Sequence, residues 1–208
     1  MPAVVFDFDG LVIDSESEIA SCVVEVLGAR GVDVALDAVA HLFGSTDADE
    51  EWERFLNPLG VSTAELRSAV DTVLPARVDR LPVLPGVAEV LDAARAAGWR
   101  VGMATGQHRP RLDQHLARLG LTGRFDAVVT RDEVARGKPA PDIYLAAAGR
   151  LEVAPADCLA LEDSLPGCEA ALAAGMQVIV CPSRVTARCA FPAGARRVSS
   201  LIDVELAL

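Results

Sequence analysis

From residue 82 onward, short apolar runs alternate with stretches of helical period, and that alternation leaves few folds open. The runs are Arg100-Val101-Gly102-Met103-Ala104-Thr105, Ala127-Val128-Val129-Thr130, Cys158-Leu159-Ala160-Leu161 and Gln177-Val178-Ile179-Val180-Cys181, with a weaker one at Val198. Val4-Val5-Phe6 opens the chain in the same way. Between the runs, Val87, Val90, Leu91 and Ala94 share one helical face, and Leu112, Leu116 and Leu119 share another. Pro110, Pro141 and Pro166 suit first helical turns, while Gly98, Gly120 and Gly175 suit stops. Strands alternating with helices of roughly 10–15 residues predict a parallel sheet covered by helices on both faces.

Residues 15–81 read differently. Asp14 or Ser15 can cap a helix starting near Glu16, with Ile19, Val23, Val26 and Leu27 on one face and Gly28 or Gly31 at its end. Leu36–Phe43, Asp49–Leu56 and Thr63–Pro75 are further predicted helices, the last capped by Ser62 or Thr63. Nothing here alternates like a strand. We expect a small helical domain of residues 15–81 inserted into a main body of residues 1–14 and 82–208.

The chemistry gathers at the ends of the predicted strands. Asp7 and Asp9 leave the first strand on one side while Phe6 and Phe8 take the other. Gly10 follows, which permits a sharp turn or a close approach to a ligand. Two carboxylates about 4 Å apart repel by about 4 kcal/mol at an effective dielectric near 20, so a bound cation is expected. Thr105 ends the second strand, Lys138 lies in the loop after the third, and Glu162-Asp163 end the fourth. In open parallel sheets, ligands bind beyond that edge. Together these residues offer carboxylates for a hard dication, a hydroxyl and an ammonium for phosphate oxygens, and a carboxylate nucleophile. Lys138 is the only lysine in a chain with eighteen arginines.

Composition narrows the partners. The net charge of −11 disfavours nucleic acid and anionic membranes, although a metal ion can invert the field locally for a phosphorylated substrate. No apolar run reaches the ~18 residues of a membrane span. The first strand begins almost at once, so no signal peptide is expected. Cys22, Cys158, Cys168, Cys181 and Cys189 are odd in number and lack metal-ligand spacing, so free thiols in a reducing cytoplasm are expected. A monomer is compatible with all of this.

Asp7-Phe8-Asp9-Gly10-Leu11-Val12-Ile13-Asp14-Ser15 resembles the first motif of the haloacid dehalogenase-like hydrolases. Ala104-Thr105-Gly106 is similar to their second motif, and Gly137-Lys138-Pro139-Ala140-Pro141 to their third. Leu161-Glu162-Asp163-Ser164, with Gly167, is similar to their fourth. The resemblance implies a Rossmann-like core, and the helical insertion matches the cap of the branch that holds phosphatases and β-phosphoglucomutases. It implies that Asp7 attacks phosphorus to give an aspartyl-phosphate and that Asp9 acts as acid, then base. Magnesium is then held by Asp7, the Asp9 carbonyl and Asp163, with Glu162 as a ligand or a partner of one. Thr105 and Lys138 bind oxygens of the transferred group, beside Gly10 and Gly106.

Within the same resemblance, dehalogenation needs neither Asp9 nor magnesium, and phosphonate cleavage needs a cap lysine that this chain lacks. A sugar-phosphate mutase holds its second phosphate with a cationic cap loop, whereas Gly44-Ser45-Thr46-Asp47-Ala48-Asp49 is acidic. The expected reaction is therefore hydrolysis of a small phosphorylated metabolite, a sugar or sugar-acid phosphate. Specificity is expected from cap residues near His41 to Asp49. A mutase is the nearest alternative, and a non-catalytic binding module the remote one.

Overall fold

The structure is a computed structural model that describes residues 1–40, 42 and 48–206. Most of the predicted specificity stretch, residues 41 and 43–47, thus lies outside the described residues. The sheet has six parallel strands: β1 (Ala3–Phe6), β2 (Arg100–Ala104), β3 (Ala127–Val129), β4 (Cys158–Glu162), β5 (Gln177–Val180) and β6 (Ala195–Arg197). Their order is β3-β2-β1-β4-β5-β6. The chain steps outward from β1 on one side and then returns to its other side with β4. That reversal makes the carboxyl ends of β1, β2 and β4 the switch point where open α/β sheets bind ligands.

The period of two sorts β1 between two cores. Val4 and Phe6 face a cluster with Val87, Leu91 and Ala94 of α5 (Val87–Ala96) and Leu112 and Leu116 of α6 (Arg109–Arg118). Ala3 and Val5 face the opposite cluster, with Ile143 and Tyr144 of α7 (Asp142–Leu151) and Cys168 and Ala171 of α8 (Leu165–Ala173). Strands buried on both faces read as unbroken apolar runs, which is why these segments stand out in the sequence.

Among the described residues, four α-helices lie between β1 and α5: α1 (Ser15–Ala29), α2 (Leu36–Ala40), α3 (Ala48–Leu56) and α4 (Thr63–Val78). They build a third apolar cluster from Val23, Leu27, Val39, Leu56, Leu66 and Val70. Val185, from the turn after β5, packs into it and fastens the insert to the main body. Arg77 of α4 donates to Glu25 at 3.0 Å and to Glu18 at 3.3 Å on α1. Asp14 caps α1 by accepting from the Ser17 amide, and Ser62 and Glu65 form the capping box of α4.

Three boundaries depart from expectation: α2 stops at Ala40 with Leu42 in a turn, β6 stops at Arg197 just short of Val198, and α4 overruns its predicted end. Pro75 was predicted to end the last insert helix, but α4 continues to Val78. A proline removes one amide donor there, yet the Pro75 carbonyl still receives the Asp79 amide at 3.0 Å. Two arginines of α6 satisfy the exposed end. Arg118 donates to the carbonyls of Leu81 at 2.7 Å and Val78 at 3.4 Å, and Arg111 pairs with Asp79 at 2.9 Å. Burial of Val78 in the main core supplies the remaining reason. All five cysteines are free. Among the described residues, no helix is long and apolar enough to cross a membrane.

Candidate active site

Register places the first two carboxylates. Phe6 pairs with Leu161, and the Asp7 amide continues the ladder by donating to the Leu161 carbonyl at 2.9 Å. Asp7 and Glu162 therefore leave adjacent strands side by side, on the face covered by α7. Lys138 closes the pair, its Nζ lying 2.5 Å from Asp7 Oδ1 and 2.5 Å from Glu162 Oε1. The same ammonium sits 5.2 Å from the centroid of the Tyr144 ring. Tyr144, the only tyrosine in the chain, donates its hydroxyl to Glu162 Oε1 at 2.5 Å.

Glu162 is fully occupied by these and other donors. Its Oε2 accepts from the Asp163 amide at 3.2 Å, the Ser164 amide at 3.3 Å and the Ser164 hydroxyl at 3.0 Å. Gly167 leaves the room for it, since a Cβ there would lie 1.9 Å from Oε1. A carboxylate offers about four lone-pair sites, and five donors use them all.

Asp163 is the opposite case. It is fully buried, and among the described residues its oxygens receive no N–H donor and no hydroxyl, with only the Glu16 carboxyl beside them. Gly10 lies against it with φ +79°, and a Cβ at that position would fall 1.9 Å from Asp163 Oδ2. A buried carboxylate without a donor is costly unless a cation sits beside it. Ligand atoms of Asp7, Glu162 and Asp163 lie within 4.8 Å of one another. Proximity admits all three as ligands for a hard dication, but only Asp7 and Asp163 retain unused oxygens.

Electrostatics follow the same division. Burial pushes the Asp7 carboxyl up to about 8, with Lys138 pulling against it. Burial also drives Asp163 well above the usual carboxylate range, helped by Glu16, Glu162 and Asp7. Burial works to lower Lys138, but Asp7 and Glu162 outweigh it and the ammonium stays charged. Two carboxyls held up by burial beside one ammonium suit a divalent cation that takes the place of their protons.

Asp9 is oriented separately. Its Oδ1 accepts from the Ser15 hydroxyl at 2.7 Å and from Gln107 Nε2 at 3.2 Å. Thr105 is fully buried beyond β2, and its hydroxyl accepts from the Gln107 amide at 3.1 Å. It joins the site through Gln107 and has no hydrogen bond to Asp7 or Lys138. Gly106 is exposed, and a Cβ there would meet nothing within 4 Å, so its backbone is open to a ligand. Sequence reasoning gave no role to Gln107, Tyr144 or Glu16, quoted Ser164 only within the fourth motif, and gave Ser15 a capping role and a place in the first motif. The lone tyrosine within an apolar helical face was a usable signal; the others carried none.

The close approach at Gly10 has a measurable consequence. Gly10→Ala must displace either its own turn or the Asp163 carboxylate, and a shift near 1 Å costs on the order of 100-fold in rate. We expect kcat/KM to fall by about that factor while the sheet folds normally. A variant with unchanged kcat/KM would show that Asp163 has slack.

The profile of the haloacid dehalogenase-like hydrolases matches residues 1–175. The chain is 33% identical to YhcW of Bacillus subtilis over 99% of its own length and 94% of that protein. It is 32% identical to hexitol phosphatase B of Escherichia coli, covering 87% of this chain and 83% of the relative. Among solved structures, CbbY from Rhodobacter sphaeroides in complex with xylulose-1,5-bisphosphate superposes with a TM-score of 0.75. That pair is 31% identical and covers 98% of this chain and 96% of the other. The chain belongs to the haloacid dehalogenase-like hydrolases, and its phosphatase relatives support a phosphoric monoester hydrolase.

Proposed function

We propose that this chain is a magnesium-dependent phosphatase that hydrolyses a small sugar or sugar-acid phosphate through an aspartyl-phosphate on Asp7. The observation that carries this reading is Asp7 held by Lys138 beside the unsatisfied, buried carboxylate of Asp163. A nucleophile, a charge-neutralising cation and a metal seat then occupy one end of the sheet. Residues 15–81 act as the cap, over a core of residues 1–14 and 82–208. The names of hexitol phosphatase B and of the CbbY complex favour a phosphorylated sugar or polyol as the substrate class.

In this mechanism an Asp7 oxygen bonds to phosphorus as the ester oxygen leaves. Asp9 gives that oxygen its proton, and Ser15 and Gln107 hold the carboxyl in position. Asp9 then takes a proton from water as the water attacks the aspartyl-phosphate, releasing inorganic phosphate and restoring Asp7. Lys138, Thr105 and the backbone at Gly10 and Gly106 bind oxygens of the transferred group. Magnesium, when bound by Asp7, Asp163 and the Asp9 carbonyl, neutralises phosphoryl charge. Glu162 fixes Lys138 and the start of the Asp163 loop, with its own oxygens already engaged.

The test is phosphate release from a panel of phosphorylated sugars, polyols and sugar acids in ¹⁸O-water. Labelled inorganic phosphate is expected with magnesium, loss of turnover with chelator, and recovery when magnesium is restored. Calcium should occupy the site without supporting turnover, because its looser coordination suits in-line transfer poorly. Full activity in excess chelator would remove the metal from the mechanism. Conversion of β-glucose 1-phosphate to glucose 6-phosphate, with little free phosphate, would reassign the chain as a mutase.

A further inference from the structure

Gln107 stands between the two ends of the proposed reaction. Its amide donates to Thr105 Oγ1 at 3.1 Å, which leaves the Thr105 hydroxyl hydrogen for a phosphoryl oxygen. Its Nε2 donates to Asp9 Oδ1 at 3.2 Å, and Ser15 donates to the same oxygen at 2.7 Å. Both donors engage Oδ1, so Asp9 Oδ2 is the oxygen left to exchange a proton with the leaving group. The loop that carries Gln107 is fastened to the turn after β3. The Gln107 carbonyl accepts from the Arg131 amide at 3.0 Å, and Asp132 accepts from the Arg109 amide at 2.8 Å. Gln107 itself is half-buried, held in place without being sealed from a ligand.

One atom of this residue is unspent. An ionised Asp9 only accepts, so it takes the amide nitrogen and fixes which way the carboxamide is turned. Oε1, on the same carbon, receives no hydrogen bond among the described residues. We propose that Gln107 is a specificity-determining residue whose Oε1 accepts from a substrate hydroxyl on the carbon next to the one bearing the phosphate. Phosphorylated polyols and open-chain sugars have that hydroxyl; simple alkyl phosphates lack it. The contact forms when the ester oxygen reaches Asp9, so it orients the leaving group for protonation as well as selecting it. A substrate without the hydroxyl displaces water from Oε1 and returns no donor to it. This inference rests on the hydrolytic reading given above and narrows its substrate to a 2-hydroxyalkyl phosphate.

The experiment compares kcat/KM, with magnesium, for glycerol 1-phosphate, 1,2-propanediol 1-phosphate and 1,3-propanediol monophosphate. The first two carry the neighbouring hydroxyl, and the third carries only a remote one. Wild type is expected to favour the first two by about tenfold, the worth of one hydrogen bond. Gln107→Met keeps the length of the side chain but loses its oxygen, and its preference should shrink below about twofold. Ser15→Ala removes the other donor to Asp9 without touching Oε1. It should lose turnover on all these esters while keeping the wild-type preference. Equal kcat/KM for the esters in wild type, or an undiminished preference in Gln107→Met, would overturn this inference and leave the hydrolytic reading standing. No phosphate release from these esters or from the sugar panel would overturn the hydrolytic reading, and this inference with it.

Discussion

Asp7→Asn is expected to abolish turnover and leave no protein-bound phosphate after incubation with substrate. Removing a nucleophile that works as one unit with its neighbours costs on the order of 10⁵-fold or more. The same variant has a second readout that does not depend on substrate. Burial raises the Asp7 carboxyl from 3.8 to about 8, so the fold favours its protonated form. The corresponding stability is fully present below pH 3.8 and is lost as pH rises toward about 8, where the metal-free wild type must bury the ionised group. Asparagine does not titrate. In chelator, Asp7→Asn should therefore melt above wild type at pH 8, with the gap shrinking toward pH 4. Substrate-derived label on Asp7→Asn would move the nucleophile elsewhere, and equal melting across that range would remove the burial argument.

Lys138→Arg is expected to lose about 100-fold or more in kcat while folding normally. The Lys138 side chain is 13% exposed and threads between Asp7, Glu162 and the face of Tyr144. An ammonium serves two carboxylates there as a point charge, whereas a planar guanidinium needs more room and a different approach. Lys138→Met probes the same contacts through stability. It leaves Asp7 and Glu162 buried without their shared cation, a class of change that costs about 3–5 kcal/mol. Denaturant unfolding in chelator reads this directly. Wild-type turnover by Lys138→Arg, together with wild-type stability of Lys138→Met, would remove Lys138 from the mechanism and show that its contacts to Asp7 and Glu162 contribute nothing net.

The chain's own pattern determined the sheet, the insert and the edge where the chemistry gathers. Those signals are local: apolar runs of a few residues, caps such as Asp14 and Ser62, and glycine stops such as Gly98 and Gly120. The end predicted at Pro75 fell short of Val78 because the arginines of α6 that satisfy the helix end lie far along the chain. The site divides in the same way. Asp7, Asp9, Lys138 and Asp163 were legible because their residue types are unusual at strand ends. What each one touches was decided by strand register and helix placement across long stretches of chain. Lys138 meets Asp7 over 131 residues, and Gln107 meets Asp9 over 98. Only the fold could show that Glu162 has no oxygen to spare and Asp163 has two, because that difference comes from Tyr144, Ser164 and the bare Cα of Gly10 converging from three separate segments. Side-chain satisfaction belongs to three-dimensional packing, and no spacing along a sequence encodes it.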